Sequence, residues 1–430
     1  MQVMLKQAPL NNSFRFRQVR EQTELLCASL SAEDCNLQAM PYTSPLKWHL
    51  AHTTWFFETF ILTPFSPGYR HYDESFQVLF NSYYNGIGKQ HPRSQRHLLS
   101  RPGLNEVLEY RQHVNKAMSA LLDQPAHADQ GEISSRLDLG LNHEQQHQEL
   151  MLTDLKYNLG CNPLAPFYMQ AELPEREPGE AGFEFYKGGL VDVGQPADDG
   201  FGFDNERPPH KAWLEPFALG RKLVTNGEYG EFIADGGYRR PELWLSDGWS
   251  TVQEQNWTQP LYWDLDADSP SVFTLHGQQP LRNEYPVCHL SYFEADAYAR
   301  WAGARLPTEE EWEHACRQSH KPQQGRETDF NLKRLQPTGT TPNKGLRDLF
   351  GQVWQWTSSA YRAYPGYRVT PGALGEYNGK FMCNQFVLRG SSCATPPRHS
   401  RASYRNFFYA ADRWQFTGLR LARDAMPGAS

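Results

Sequence analysis

Residues 141–150 read LNHEQQHQEL and place two histidines, His143 and His147, four positions apart. The apolar spacing around them predicts a helix from about Ile133 to Leu155. Because an α-helix turns once in about 3.6 residues, both imidazoles lie on one face, and the apolar pattern directs this face into the protein. Two neighbouring buried imidazoles need partners for their ring nitrogens. The segment therefore predicts either a metal site or a pair of hydrogen-bonded core histidines.

The composition is that of a globular protein without a membrane-spanning segment. Of the 430 residues, 39% are hydrophobic and 21% are charged, and the net charge is −7. No apolar run is long enough for a bilayer, and the first residues lack the pattern of a secretory signal. The acidic balance argues against nucleic acid as a partner. Seven cysteines without a CxxC pair favour free thiols, so we expect a cytoplasmic protein.

The first 160 residues have the pattern of a four-helix bundle. Ser44 and Pro45 are typical of an N-cap and a first helical residue. The helix that they begin is apolar on nearly all sides of His49 and His52, so either histidine is a candidate third metal ligand. The four predicted helices are Asn12–Leu30, Leu46–Phe60, Leu104–Leu122 and Ile133–Leu155.

A long segment without helical spacing, 80–103, separates the second and third predicted helices. Its glycines and prolines argue against a regular element. It carries the neighbouring tyrosines Tyr83 and Tyr84 and several arginines. Long structured loops of compact domains are more often functional than idle. The segment is therefore a candidate binding loop, with an ordinary surface connection as the alternative.

The region after residue 182 has short strand patterns, many glycines and scattered aromatic residues. Its most specific motifs are RLPTEEEWE (305–313), GQVWQWT (351–357), RGSS (389–392) and GLRLA (418–422). These motifs resemble the formylglycine-generating-enzyme fold, a C-type-lectin-like domain. We therefore expect an α+β multidomain chain. Its predicted parts are a helical bundle (1–160), a linker (161–182), the lectin-like domain (183–424) and a tail (425–430).

The chemistry of the formylglycine-generating enzymes is not expected here. These enzymes use two cysteines, which lie six and eleven residues after the basic residue of an R/K-G-G-S motif. Counting from Arg389 places Thr395 and Ser400 at those positions, and Cys393 lies off the pattern. Since the thiols that bind copper are missing, the resemblance implies the fold but not the activity.

The N-terminal region resembles the DinB-like bundle, and the two regions together resemble the ergothioneine-type non-haem iron sulfoxide synthases. The resemblance rests on a W-x-x-A-H helix and an H-x-x-x-H-x-E segment. It implies that Fe(II) is held by His52, His143 and His147. A three-histidine site alone suits zinc as well. His49 lies outside the motif, so we expect it to be a partner of a ligand or a core residue.

The resemblance also implies the reaction: O2 drives the joining of a thiol sulfur to C2 of an imidazole and the oxidation of that sulfur. An arginine holds the carboxylate of the thiol substrate, because a guanidinium binds carboxylates bidentately. In the subgroup that uses free cysteine, the loop spacing places this arginine at Arg93 and the catalytic phenols at Tyr83 and Tyr84. Arg96 and Arg101 are expected to be solvated or to hold the loop.

The imidazole substrate has its own implied contacts. The resemblance assigns them to Gln146, just before the second helical histidine, and to Asn406 in an R-N-[WF] turn. Phe407 is expected to face a trimethylammonium group by cation–π attraction. Phe408 replaces the aspartate of enzymes that use γ-glutamylcysteine, which favours free cysteine as the donor. Tyr364 matches the catalytic tyrosine of that other subgroup, and its role stays open.

The leading interpretation is a hercynylcysteine sulfoxide synthase that takes hercynine, cysteine and O2. Two alternatives keep the chemistry and change a substrate: a selenoneine-type synthase that uses a selenosugar, and an ovothiol-type synthase that uses histidine. A non-catalytic binding protein is the alternative from another class. The residues do not predict the oligomeric state, so a homo-oligomer stays open.

Overall fold

A computed structural model describes residues 11–124, 127–176, 181–319, 332–339 and 345–425. The chain divides into two compact units, Met1–Leu155 and Lys156–Ser430. Within the described ranges, no helix has both the length and the apolar character needed to cross a membrane. Part of the predicted linker and nearly all of the predicted tail lie outside the described residues.

The first unit is built from helices, as the sequence predicts. The second helix continues through a wider π-helical turn, Glu58–Leu62, into the third. Two short 3₁₀ helices, Asp34–Asn36 and Arg93–Leu98, lie between longer elements. The helices are α1 (Asn12–Leu25), α2 (Leu46–Phe57), α3 (Thr63–Phe65), α4 (Phe76–Leu79), α5 (Leu104–Leu122) and α6 (Gln130–Gly160). Every residue of α2 is buried, which places this helix in the core of the bundle.

The start of α2 differs from the prediction. Pro45 occupies the N-cap position, and Ser44 is not the cap. The Ser44 backbone N–H instead donates to Asp154 Oδ2 at 2.8 Å, and the Ser44 hydroxyl accepts from Arg96 at 2.8 Å. Contacts with distant residues therefore compete successfully for the groups that a cap would use.

Two further local predictions were wrong. Helix α1 ends at Leu25 and not at Leu30, because the chain passes into tight turns such as Leu30 N–H to the Cys27 carbonyl. The loop at 80–103 does contain a regular element, the 3₁₀ helix Arg93–Leu98. Pro92 precedes this helix, and its carbonyl accepts from the Gln95 N–H at 3.0 Å. A proline before a helix fixes the backbone angle φ and favours the start of a helical turn. The many glycines and prolines of the loop hide this local signal.

Helix α6 approaches α2 closely at Gly140. A Cβ at this position would lie 2.6 Å from Phe57 Cε1 and 3.0 Å from Phe56 Cε1. The absence of a side chain at Gly140 therefore allows the two helices to pack directly beside His143.

The second unit mixes helices with short strands. Three of its helices begin with a capping box, in which a Ser or Thr side chain and a Glu three residues later satisfy two backbone N–H groups. The helices with the box are α7 (Asn226–Ala234), α9 (Tyr292–Trp301) and α10 (Glu309–Gln318). Helix α8 (Ser246–Gln255) lacks it.

The strands form four sheets among the described residues. Their orders are β1-β4-β12, β10-β9-β8-β11, β2-β3 and β5-β6-β7. The strands are β1 (Phe183–Tyr186), β2 (Gly189–Val193), β3 (His210–Leu214), β4 (Phe217–Gly220), β5 (Trp263–Asp264), β6 (Ser271–Thr274), β7 (Gly277–Pro280), β8 (Trp354–Ala360), β9 (Gln385–Gly390), β10 (Asn406–Tyr409), β11 (Thr417–Gly418) and β12 (Ala422–Asp424). The expected turn around Asn406 is strand β10, in which Asn406 pairs with Leu388 of β9.

Candidate metal centre

Helices α2 and α6 bring three buried histidines together. His52 comes from α2, and His143 and His147 come from successive turns of α6. One nitrogen from each imidazole lies within 4.8 Å of the other two, and the three side chains are buried. Among the described residues, this is the one group of three or more His, Cys, Asp or Glu side chains with such spacing. The structure thus brings together the three residues that the sequence singled out.

The ring of His52 is oriented by the loop that follows α4. Its Nδ1 lies 2.6 Å from the Phe80 carbonyl, so Nδ1 carries the proton and donates. The rings of Trp48 and Trp55 stack on the imidazole at 4.6 and 5.7 Å. The remaining nitrogen, Nε2, is buried and has no hydrogen-bond partner among the described residues. A buried acceptor left unpaired is costly, and a cation coordinated by this lone pair would remove that cost.

His147 is oriented by a chain of two further side chains. The Nδ1 atoms of His147 and His49 lie 2.7 Å apart, and His49 Nε2 lies 3.2 Å from Asp154 Oδ2. One assignment of protons satisfies both contacts: His49 donates from Nε2 to the carboxylate and accepts at Nδ1 from His147. His147 Nε2 then keeps its lone pair. Histidines that bind metals are usually held in this way by a second partner.

The three histidines are neutral at neutral pH. Burial, together with the neighbouring His143, lowers the pKa of His52 well below its ordinary value. Burial likewise lowers the pKa of His147 strongly and that of His143 to about 3. Neutral imidazoles present lone pairs, which is the form that binds Fe(II) or Zn(II). The donor set therefore fits a divalent transition metal.

A buried ion network holds α6 next to this centre. The Glu144 carboxylate accepts from Arg20 at 2.8 Å, from Arg111 at 3.0 Å and from Thr23 at 2.6 Å. Burial alone would raise the pKa of Glu144, but the two guanidinium groups lower it below its ordinary value. The carboxylate is therefore charged and fixed, which sets the rotation of α6 and the direction of the neighbouring His143.

The predicted tyrosine loop is attached to the same part of the bundle. Tyr84 is fully buried, and its ring centre lies 5.6 Å from Trp55 and 5.1 Å from Phe60. Tyr83 is half-buried and stacks on Tyr84 at 4.6 Å. Asn81 fixes the turn by accepting from the Tyr84 N–H at 3.1 Å. Trp55 contacts both His52 and Tyr84, so a single indole separates the tyrosine pair from the histidine cluster.

The arginines of the loop differ sharply in exposure. Arg93 is exposed, and its guanidinium donates to the Tyr42 carbonyl. Arg96 is only 3% exposed and lies 3.3 Å from the ring centre of Trp48, the indole that stacks on His52. Of the two roles expected for Arg96, its burial excludes solvation, and its 3.1 Å hydrogen bond to Ser82 agrees with holding the loop.

Arg96 is a buried cation without an ion-pair partner among the described residues. Burial and the charge of Arg93 lower its pKa well below the ordinary value. The signal that sequence reasoning missed is the R-x-x-R spacing of Arg93 and Arg96. In a 3₁₀ helix, residues three apart lie on the same side, so this spacing places Arg93 and Arg96 on one side of the helix.

Gln146 is half-buried on α6, one residue before His147. In the second unit, Asn406, Phe407 and Phe408 follow one another along β10, and all three are half-buried. Asn406 Oδ1 accepts from the Phe407 N–H at 2.9 Å. The Phe407 ring stacks on Tyr361 at 4.0 Å and is held flat by it.

Tyr364 belongs to a buried ion network of the second unit. Its hydroxyl accepts from Arg389 at 2.9 Å and donates to Glu309 Oε2 at 3.3 Å. Only 5% of the residue is exposed, and burial raises the pKa of the phenol well above its ordinary value. This hydroxyl is engaged in holding the fold, which is a different environment from that of Tyr83 and Tyr84.

Comparison with known proteins covers both units. The Sulfatase-modifying factor enzyme 1-like domain family matches residues 170–425, and the DinB superfamily matches residues 15–151. The formylglycine-generating enzyme of Thermomonospora curvata is 28% identical over 56% of this chain and 97% of its own. The α+β multidomain fold class is therefore confirmed.

Other relatives match almost the whole length. The hercynine oxygenase of Mycolicibacterium smegmatis is 34% identical over 94% of this chain and 96% of its own. That of Mycobacterium tuberculosis is 34% identical over 91% of this chain and 94% of its own. Since both domains are matched and the 34% identity extends over more than nine-tenths of both chains, the chain belongs to the hercynine oxygenase family.

Proposed function

We propose that this protein is an Fe(II)- and O2-dependent hercynylcysteine sulfoxide synthase of ergothioneine biosynthesis. The observation that carries the proposal is the convergence of His52, His143 and His147 as buried neutral imidazoles. The similarity to hercynine oxygenases over nearly the full chain supports the same activity. The proposed reaction consumes a free thiol, which fits the reducing cytoplasm expected from the cysteine pattern.

The proposed reaction balances with one molecule of O2. The imidazole carbon of hercynine loses its hydrogen, the cysteine thiol loses its proton, and a C–S bond forms between them. One oxygen atom is added to the sulfur, and the other leaves as water with the two hydrogens. The substrates together lose four electrons, which O2 accepts.

The imidazoles of His52, His143 and His147 would hold Fe(II). Iron would supply the redox chemistry of O2 and a site for the cysteine thiolate. The protein contributes orientation: the Phe80 carbonyl fixes His52, and the pair formed by His49 and Asp154 fixes His147. The aromatic rings around the cluster exclude water, which strengthens electrostatic interactions inside the site.

The carboxylate of cysteine is assigned to Arg93, as the resemblance to the subgroup that uses free cysteine implies. Arg96 adds a second positive charge on the same side of the 3₁₀ helix, next to Trp48 and the histidines. A buried guanidinium without an anionic partner favours the approach of a carboxylate. Arg93 is exposed, and its guanidinium would exchange the Tyr42 carbonyl for the substrate carboxylate.

The phenols of Tyr83 and Tyr84 are assigned the donation of a proton or an electron during coupling. Their loop is fixed to α2 through the Phe80 carbonyl, and their rings stack on each other. Replacing either phenol by phenylalanine keeps the stack and removes the hydroxyl. Loss of the required hydroxyl should therefore shift the product from the coupled sulfoxide toward the plain oxidised thiol.

Hercynine is assigned to Gln146, Asn406 and Phe407. The amides of Gln146 and Asn406 offer both donors and acceptors to an imidazole ring. Phe407 is held flat by Tyr361, so its face is available to a trimethylammonium group. Phe408 offers no carboxylate for a longer thiol peptide, which supports free cysteine as the donor.

The test is aerobic incubation of the Fe(II)-loaded protein with each acceptor and each donor in separate pairings, read by mass spectrometry. The acceptors are hercynine and histidine, and the donors are cysteine, γ-glutamylcysteine and a selenosugar. We expect a hercynine–cysteine adduct that carries one added oxygen. A different preferred pairing would overturn the substrate assignment and keep the reaction class.

The matched control uses histidines from the same unit. His143→Ala should abolish iron binding and thiol-dependent oxygen uptake. His113→Ala should leave both unchanged, because His113 is exposed, lies outside the three-histidine cluster and contacts the Arg70 carbonyl and the rings of Tyr69 and Tyr72. Oxygen uptake that survives in His143→Ala would exclude the proposed metal centre. Iron binding without a coupled product in any pairing would exclude the synthase.

A further inference from the structure

Two indoles flank one histidine of the candidate metal centre. Trp48, His52 and Trp55 stand at positions i, i+4 and i+7 of helix α2, so their side chains lie along one face of the helix. The His52 ring stacks on Trp48 at 4.6 Å and on Trp55 at 5.7 Å, with 12° and 15° between the ring planes. Both indoles are buried. By contact alone, each indole is placed to exchange an electron with a metal held by His52.

A cation distinguishes the two indoles. The guanidinium carbon of Arg96, Cζ, lies 3.3 Å from the ring centre of Trp48. A guanidinium group keeps its charge in proteins. A neutral indole attracts this cation, whereas an indole that has lost an electron carries a positive charge and is repelled by it. Trp48 is therefore the harder of the two indoles to oxidise.

The surroundings of Trp55 have the opposite sign of charge. Its indole N–H donates to Gln77 Oε1 at 3.1 Å, and Gln77 Nε2 donates to Glu58 Oε2 at 3.4 Å. Both oxygens of Glu58 accept hydrogen bonds, Oε1 from the Tyr69 hydroxyl at 2.6 Å and Oε2 from the Tyr110 hydroxyl at 2.7 Å, which is the pattern of an ionised carboxylate. A negative charge one amide away stabilises positive charge on the Trp55 ring.

Trp55 also continues the series of ring contacts toward the tyrosine pair. The ring centre of Tyr84 lies 5.6 Å from that of Trp55, and Tyr83 stacks on Tyr84 at 4.6 Å. Among aromatic side chains, indoles and phenols lose an electron most readily. The contacts therefore join His52 to the half-buried Tyr83 through two oxidisable rings.

We propose that Trp55 is the electron relay between the tyrosine pair and the metal centre, whereas the charge of Arg96 excludes Trp48 from this role. The relay deepens the proposed function and rests on it for the supply of O2 as the oxidant. One electron passes from Trp55 to the metal centre after O2 has oxidised it, and one electron passes from the stacked phenols to Trp55. The oxidised phenol releases its proton to water at the half-buried Tyr83. In sum, the tyrosine pair loses one electron and one proton, and the metal centre gains one electron.

Mapping of oxidised side chains tests the relay without substrates. The Fe(II)-loaded protein is treated with hydrogen peroxide and digested with trypsin, which places both indoles in peptide 48–70 and both tyrosines in peptide 71–89. We expect oxidation of Trp55 and of the tyrosine pair, and little of Trp48. Metal-free protein treated in the same way should retain both buried indoles unmodified. Oxidation confined to the histidines would overturn the relay, and equal oxidation of both indoles would overturn the exclusion of Trp48.

Two substitutions in α2 form a matched pair. Trp55→Phe keeps a ring beside His52 but removes the indole, so oxidation of peptide 71–89 should fall severalfold. Trp48→Phe removes the indole whose ring centre is nearer to His52, and oxidation of this peptide should persist. Iron content and circular dichroism show whether both variants are folded and loaded. Equal oxidation of peptide 71–89 in the wild type and a loaded Trp55→Phe would overturn the relay.

Removal of the cation tests the second half of the proposal. Arg96→Met keeps an unbranched side chain next to Trp48 and removes its charge. We expect oxidation of Trp48 by Fe(II) and peroxide to increase severalfold in this variant. Oxidation of Trp48 that stays at the wild-type level would show that the cation is not what protects the indole.

Electron paramagnetic resonance of the wild type provides a readout that depends on no variant. The Fe(II)-loaded protein is frozen rapidly after the addition of peroxide. We expect the spectrum of an organic radical that narrows when the protein contains ring-deuterated tyrosine. The absence of an organic radical, or a spectrum that responds to ring-deuterated tryptophan alone, would overturn electron transfer from the tyrosine pair.

The last readout is the ratio of products with hercynine and cysteine present. Trp55→Phe should lower the ratio of coupled sulfoxide to oxidised thiol severalfold and leave the KM of both substrates unchanged. If the radical and the mapped oxidation appear but no pairing of substrates gives a coupled product, the proposed function fails and the relay stands. If the coupled product forms in the same ratio in Trp55→Phe and in the wild type, the role of the relay in the reaction is overturned.

Discussion

The Nδ1 atoms of His49 and His147 lie 2.7 Å apart, so one imidazole fixes the orientation of the other. Asp154 completes the chain at 3.2 Å from His49 Nε2. A proton between the two Nδ1 atoms belongs to His147, since His49 uses its own proton for the carboxylate. This leaves His147 Nε2 as the atom available to a metal.

Removal of the imidazole at position 49 should weaken metal binding while the fold persists. His49→Leu keeps a similar volume but leaves the Nδ1–H of His147 without an acceptor. We expect the affinity for Fe(II) to fall about 10- to 100-fold. Chelator competition with metal analysis measures the affinity, and circular dichroism measures the fold. His113→Leu is the control, and an unchanged affinity in His49→Leu would show that His147 needs no partner.

Arg93→Ala should raise the KM for cysteine about tenfold or more, because hydrogen bonds to charged groups contribute about 1.5–3 kcal/mol. The KM for hercynine should change little. Steady-state kinetics with each substrate varied in turn provides the measurement. Arg101→Ala is the matched control, since Arg101 is exposed and its guanidinium donates to the Ser100 carbonyl. Equal losses for both substrates would mean that Arg93 stabilises the loop and does not bind cysteine.

Gly140→Ala should destabilise the first unit. The new methyl group would lie 2.6 Å from Phe57 Cε1, so the ring must move within a packed core. Overpacking of this kind costs about 1–3 kcal/mol, whereas alanine in a helix gains about 1 kcal/mol over glycine. We expect a net loss of stability in denaturant unfolding, with Gly131→Ala as the control, because nothing lies near that Cβ. Stabilisation by Gly140→Ala would mean that the Phe57 ring can move away from the new methyl group at little energetic cost.

Local periodicity was sufficient to predict the main elements of the site. The spacing of His143 and His147 depends only on the geometry of one helix, and the apolar surroundings of His52 predict a buried helix. Both features hold in the structure, where α2 is buried throughout. The strands and helices of the second unit were assigned by resemblance to a family and not by periodicity.

Contacts between distant segments could not be predicted in this way. Ser44 is a good N-cap by sequence, but Asp154 and Arg96 bind its polar groups instead. Arg96 is buried because Trp48 covers its guanidinium, and no local pattern encodes that contact. In each case, the deciding interaction joins residues that only the folded chain brings together.

Tyr364→Phe should affect stability and leave the chemistry unchanged. The phenol accepts a hydrogen bond from Arg389 and donates one to Glu309, and both partners are buried. Loss of a buried partner costs about 1–3 kcal/mol. We therefore expect a lower unfolding midpoint and an unchanged ratio of coupled sulfoxide to oxidised thiol. A changed product ratio would assign Tyr364 a catalytic role alongside Tyr83 and Tyr84.

Lys156, near the end of α6, is a buried cation whose hydrogen-bond partner is an imidazole. Its Nζ lies 2.7 Å from His289 Nε2 and 4.7 Å from the ring centre of Tyr262. No carboxylate forms an ion pair with it among the described residues. Burial lowers the pKa of Lys156 to about 8, whereas the nearby Cys288 and Cys393 thiols oppose this shift weakly.

This lowered pKa predicts a rise of stability with pH. Below about pH 8 both the folded and the unfolded chain carry the charge, so the cost of burying it is fully present. Between about pH 8 and the unfolded value of about 10.4, the unfolded chain binds more protons, and the unfolding free energy increases by up to about 3 kcal/mol. Lys156→Met has no group that titrates here and lacks this increase. The variant should therefore be more stable than the wild type at about pH 8, and the difference in unfolding free energy should decrease toward about pH 10.4. Denaturant unfolding of both proteins at matched pH values measures the difference, and a difference independent of pH would show that Lys156 stays protonated in the folded chain.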